Sequence, residues 1–120
     1  MAVARYLDVA LPADAVWWHT PNGGKRTRAE AGKFKAMGVR AGFPDIAILW
    51  NGKLLVIELK APGRPTRISD AQHAMSDRLI AAGATWRCVT CLESVALILD
   101  MLGVPVRARP FGAGVRRIAA

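Results

Sequence analysis

Residues 43–60 read Phe43-Pro44-Asp45-Ile46-Ala47-Ile48-Leu49-Trp50-Asn51-Gly52-Lys53-Leu54-Leu55-Val56-Ile57-Glu58-Leu59-Lys60. Two apolar runs flank Asn51-Gly52, a dipeptide suited to the positive φ that a type I′ turn needs at both central positions. The stretch therefore reads as a β-hairpin. Counting outward from the turn pairs Trp50 with Lys53, Ile48 with Leu55, Ile46 with Ile57 and Asp45 with Glu58. The two carboxylates fall opposite each other on one face, with Cβ atoms roughly 4.5–5.5 Å apart. At an effective dielectric of about 20, unit charges about 5 Å apart repel by roughly 3 kcal/mol. A hairpin built only for stability has no reason to hold such a pair. A divalent cation turns the repulsion into coordination, because hard cations take carboxylate oxygens. Lys60 stands two residues beyond Glu58 and projects from the same face.

Working outward toward the N-terminus, residues 3–10 read as a short helix ending before Pro12. Ala15 to Thr20 reads as a strand stopped by Pro21-Asn22-Gly23-Gly24. Thr27 and Glu30 fit a capping box, so a helix is expected from Arg28 to about Met37, closed by Gly38. Lys25 to Arg40 holds six Lys/Arg and one carboxylate. Lys25, Arg26, Arg28, Lys33, Lys35 and Arg40 are candidate phosphate contacts; the competing reading is a solvated basic face.

Beyond Lys60, Ala61-Pro62-Gly63-Arg64-Pro65 is a turn-rich loop, and Arg64 joins the candidate phosphate contacts. Ser69 opens a helix running to about Ala82, with Gly83 past its end. Gln72, Met75 and Leu79 share one face of it, which directs Gln72 toward the sheet. Gln72 is also three residues from Ser69, so a capping-box role competes with a site role. Thr85 to Thr90 reads as a strand and Leu92 to Leu102 as an apolar helix closed by Gly103. The order is helix, strand, helix, hairpin, helix, strand, helix. It predicts the α/β class, a mixed β-sheet flanked by helices, with the last strand parallel to the second hairpin strand. Residues 1–103 form one expected domain, and 104–120, with Arg107, Arg109, Arg116 and Arg117, a basic tail.

Pro44-Asp45 followed after a hairpin by Glu58-Leu59-Lys60 resembles the signature of the PD-(D/E)xK nucleases. The longer run, Gly42-Phe43-Pro44-Asp45, Ile57-Glu58-Leu59-Lys60, Gly63, Ser69-Asp70-Ala71-Gln72 and Gly83, resembles the virus-type replication-repair nuclease domain, VRR-NUC. The likeness spans about Asn22 to Leu102. It implies a restriction-endonuclease-like core and a metal-dependent endonuclease. By that resemblance Asp45, Glu58 and the backbone carbonyl of Leu59 would hold Mg²⁺ or Mn²⁺. Lys60 would orient the attacking water and stabilise the phosphate, and Gln72 would contact one or the other. Lys60 can serve as an ion-pair partner of the acids at the same time. Small stand-alone members of the family are homodimers that cut branched DNA, including four-way junctions. In one respect the chain departs from the pattern: the first helix carries no Glu, and Asp8 is its only acid.

Composition suits a polyanionic partner, either nucleic acid or an acidic membrane surface, against the plainer reading of a basic solvated surface; charge alone does not decide between them. The 120 residues carry 17 Lys+Arg against 9 Asp+Glu, a net charge of +8, and 52% are apolar, which argues against disorder. No apolar run is long enough to span a bilayer, and Arg5, Asp8, Pro12 and Asp14 interrupt any signal-peptide pattern, so a cytoplasmic setting is expected. Cys88 and Cys91 form a lone C-x-x-C, and His19 and His73 do not supply a second zinc-ligand pair at the required spacing. Cys88 is assigned to the core strand. Trp17, Trp18, Trp50 and Trp86 are assigned to the core or a subunit interface. Two alternatives to a deoxyribonuclease stay open on these residues: a non-catalytic basic DNA-binding module, and an RNA nuclease.

Overall fold

The computed structural model describes residues 2–20, 27–63 and 67–108. Four helices and four strands alternate as α1 (Ala2–Ala10), β1 (Val16–His19), α2 (Arg28–Ala36), β2 (Ile46–Trp50), β3 (Lys53–Leu59), α3 (Asp70–Ala81), β4 (Thr85–Val89) and α4 (Leu92–Met101). The strands form one mixed sheet in the order β1-β2-β3-β4. β1 and β3 run antiparallel to β2, and β4 runs parallel to β3.

The hairpin turn is the one its dipeptide favours: Asn51 has φ 52° and Gly52 φ 73°. The ladder pairs Ile46 with Ile57, Ile48 with Leu55 and Trp50 with Lys53. Because side chains alternate along a strand, this register sorts the sheet into two faces. One face carries Ile46, Ile48, Leu55, Ile57 and Val89, and packs in one cluster with Val3, Tyr6 and Leu7 of α1 and Val95, Ala96 and Leu99 of α4. Leu7, Ile46, Ile48, Ile57 and Leu99 are fully buried, each stabilising the fold by about 1.5–3 kcal/mol relative to exposure. The opposite face carries Ala47, Val56 and Glu58 and is covered over part of its area by α3, through Met75 and the half-buried Leu79.

Helix ends follow the chemistry of their residues. Thr27 and Ser69 cap α2 and α3 through complete capping boxes with Glu30 and Gln72. α2 nevertheless has no buried residue; it stands against the body rather than within it.

The expected basic tail begins too early at residue 104. Val104 is buried in the core cluster, with Val106 and Ala108 packed beside it. The Arg107 N–H donates to the Ala10 carbonyl at 2.7 Å, and the Tyr6 hydroxyl donates to the Ala108 carbonyl at 3.2 Å. The packed body therefore reaches at least Ala108; Arg109, Arg116 and Arg117 lie outside the described residues. Among the described residues, no helix is long and apolar enough to cross a membrane.

Candidate active site

Asp45 lies one residue before β2, pinned from both sides. Its carbonyl accepts the Thr20 N–H at 2.8 Å, so its main chain points to β1. Opposite Glu58 it thus occupies a non-hydrogen-bonded position, the kind in which facing side chains come closest. Its Oδ2 accepts the Leu59 N–H at 2.8 Å, which aims the carboxylate at β3. Leu59 thus enters the site through its N–H.

Glu58 is 5% exposed. Burial pushes its pKa above the ordinary carboxylate value, the charge of Asp45 adds to the rise, and Lys60 opposes it. The two acids therefore sense each other, as the register requires. Lys60 Nζ lies 3.4 Å from Glu58 Oε2, and one ammonium cannot neutralise two carboxylates.

Gln72 resolves the competition between its two readings by doing both. Its Oε1 accepts the Ser69 N–H at 3.0 Å, completing the cap of α3, and also accepts from Lys60 Nζ at 3.3 Å. With the carbonyl end held, the amide end is turned to the sheet, where Nε2 donates to Glu58 Oε2 at 2.8 Å. Asp45, Glu58, Lys60 and Gln72 thus meet at one end of the hairpin beneath the first turn of α3.

Gly42 sets the distance between that turn and the Phe43-Pro44-Asp45 segment. It has φ +76°, and a β-carbon there would collide with the Ala71 carbonyl and crowd the Gln72 N–H. Only glycine lets the segment carrying Asp45 lie directly against the helix carrying Gln72.

The basic residues divide into groups. Arg28, Lys33 and Lys35 are exposed on α2, and Arg40 is exposed just beyond it. Lys35 and Arg40 line a cleft of about 510 Å³ that also reaches Gly42 and Gln72. Lys25, Arg26 and Arg64 lie outside the described residues.

Asp8 does not join the acids. Its Oδ1 accepts the Trp17 Nε1–H at 2.9 Å. It sits about one and a half turns along α1 from Ala2 and Val3, the α1 residues that share a small cavity with Lys60. Cys88 is a neighbour that sequence reading assigned only to the core: it pairs with Glu58 across β3 and β4. Burial first and the Glu58 charge second push its thiol up, so it is protonated near neutral pH. The register of the parallel pair was the signal that could have found it.

As a cation site, the donor set is two facing carboxylates of hard oxygens. The hydrogen bonds and ion pair above fall on Asp45 Oδ2 and Glu58 Oε2. Among the described residues no group of three or more His, Cys, Asp and Glu is placed to hold a metal ion by itself. Two carboxylates are a donor set that would hold Mg²⁺ only with water and substrate phosphate completing its shell. A search against protein-family models, curated proteins and solved structures finds no match to the chain.

Proposed function

We propose that the chain is a Mg²⁺- or Mn²⁺-dependent endonuclease that hydrolyses DNA phosphodiester bonds, with a restriction-endonuclease-like core of the VRR-NUC type and a preference for branched DNA such as four-way junctions. The observation that carries this reading is the facing pair Asp45 and Glu58, buried on the Glu58 side and, among the described residues, served by one lysine, Lys60. A pair of this kind is costly unless a cation is captured between its members.

Asp45, Glu58 and the Leu59 carbonyl are the groups that would hold the ion. When bound there, a divalent cation acidifies a water and neutralises phosphate oxygens. The residues of the chain do the rest. Leu59 N–H and Thr20 N–H fix the direction of Asp45. Gln72 holds Glu58 in a single orientation through the amide hydrogen bond. Lys60, half-buried and aimed at the same oxygen of Glu58, supplies a positive charge against the charge that builds on the phosphate in the transition state. Lys35 and Arg40, with Arg28 and Lys33 further out, hold neighbouring phosphates of the substrate.

A homodimer belongs to the same proposal. Val16, Trp18 and Leu49 are exposed together on β1 and β2, and β1 is an edge strand. An apolar strip beside an open edge is a surface for a second copy, and two copies would bring two sites to two strands of a junction.

The test is incubation of junction, flap and linear DNA with the protein and Mg²⁺ or Mn²⁺. The parent cuts and a chelator stops it; Asp45→Ala and Lys60→Ala lower the rate by at least about 100-fold. Cutting by both variants at the parent's rate would refute the assignment. Salt-sensitive binding without cleavage would point to a DNA-binding module, and cleavage confined to RNA to a ribonuclease.

A further inference from the structure

The cleft between α2 and the first turn of α3 differs in chemistry from the carboxylate pair it adjoins. Ala31, Phe34 and Val39 give it apolar walls, Lys35 and Arg40 bring two cations to it, and Gln72 joins it to the site. Among the described residues no acid lines it. Apolar walls beside two cations match a flat ring attached to a phosphate. The volume, about 510 Å³, lies within the range of about 300–1,000 Å³ typical of small-ligand sites.

We infer that this cleft seats one unpaired nucleotide of the DNA, next to the phosphate that is cut, with its base against Phe34 and Val39 and its phosphate held by Lys35 and Arg40. The inference rests on the nuclease reading for the identity of the polyanion. A base inside a duplex shows only its groove edges to a protein. Only a base out of the stack can bring its face into a recess and rest on an aromatic wall. Because Gln72 belongs to both the cleft and the carboxylate cluster, an occupant of the cleft is fixed relative to the cut. Because α2 buries no residue, its wall can adjust to the base without disturbing the core. The cleft thereby selects DNA with an unpaired position, such as a flap or a branch point whose pairs have opened.

The experiment measures binding without divalent cation, so that it does not depend on cleavage. Two probes are used with the full chain: a duplex with one unpaired 2-aminopurine at a branch, and the same duplex fully paired. The parent binds the unpaired probe more tightly and changes its 2-aminopurine fluorescence. Phe34→Leu, which keeps apolar bulk but removes the ring, weakens binding of the unpaired probe by about 10-fold and changes paired-duplex affinity by less than about 2-fold. Ala31→Trp fills the cleft from an exposed helix position and has the same effect, which covers the case in which Phe34→Leu perturbs α2. Equal affinity of the parent for both probes, no loss in either variant, or equal loss on both probes would overturn the inference while leaving the nuclease reading in place. Undiminished cutting by Asp45→Ala and Lys60→Ala with the unpaired preference retained would overturn the nuclease reading and leave the cleft as a base-binding site. No binding to either probe overturns the inference, while the nuclease reading is decided by the cleavage assay.

Discussion

Gln72 Nε2 donates to Glu58 Oε2 at 2.8 Å while the other end of the same amide caps α3 through the Ser69 N–H at 3.0 Å. One side chain therefore ties the start of a helix to a buried acid. Gln72→Ala removes both bonds, and with them the bond that Oε1 accepts from Lys60 Nζ. It is expected to destabilise the protein by about 1–2 kcal/mol in urea unfolding and to lower the cleavage rate. Gln72→Glu separates the roles. A glutamate still accepts from the Ser69 N–H, but adds a third negative charge beside Asp45 and Glu58, so cleavage should fall further than in Gln72→Ala. Parent-level cleavage in Gln72→Glu, with loss only in Gln72→Ala, would mean that only the cap matters.

The raised pKa of Glu58 makes stability depend on pH with a definite sign. Burial leads the rise, and the Asp45 charge adds to it. Below the ordinary carboxylate value both folded and unfolded chains keep the proton. As pH climbs toward the raised folded value, the unfolded chain releases its proton first. Metal-free stability therefore falls across that window and levels off above it. Glu58→Gln should flatten this part of the profile and raise the metal-free melting temperature at neutral pH while abolishing cleavage. Urea midpoints taken from acidic to neutral pH test it; a variant less stable than the parent throughout would contradict it.

Gly42 and Gly63 offer a matched comparison. Both have positive φ, at 76° and 77°, but a β-carbon at Gly63 meets nothing, whereas at Gly42 it meets the backbone of Ala71 and Gln72. Alanine at Gly63 should cost only the left-handed conformation, about 1 kcal/mol. Gly42→Ala adds displacement of α3, and should cost about 1–3 kcal/mol more with a disproportionate loss of cleavage. Equal destabilisation would remove Gly42 from the set of positioning residues.

Much of this was legible in the sequence because the determining signals are local. Asn51-Gly52 fixes the turn, and a two-residue turn fixes the register, which in turn decides that Asp45 and Glu58 face each other. The capping boxes at Thr27 and Ser69 need only four residues each to be read. What escaped depended on distant partners. The packing of Val104 and Arg107 against α1 joins residues about a hundred positions apart, and a Gly- and Pro-rich segment gives no periodicity to reveal it. Cys88 beside Glu58 required the alignment of a parallel strand, which no turn specifies. The reason for Gly42 lies in the backbone of a helix some thirty residues later. Asp8 was readable as an acid on the first helix, but its bond to Trp17 was not.

The exposed strip on β1 and β2 yields a prediction about assembly. Trp18 is 42% exposed, beside Val16 and Leu49. If two copies meet there, Trp18→Glu should weaken self-association by about 30-fold, the loss typical of a buried aromatic anchor. Sedimentation equilibrium reads the change. A parent that is monomeric at all concentrations, or a variant that associates equally well, would contradict this face as the contact.

The most direct test of the central claim is calorimetric titration of the metal-free protein with Mn²⁺ at neutral pH, for the parent and for Asp45→Asn. The account predicts a saturable binding isotherm for the parent, accompanied by a rise in melting temperature, and neither in Asp45→Asn, whose metal-free form is the more stable of the two. A parent that takes up no Mn²⁺, or a variant that binds it as tightly, would contradict the claim that a cation is what Asp45 and Glu58 are brought together to hold.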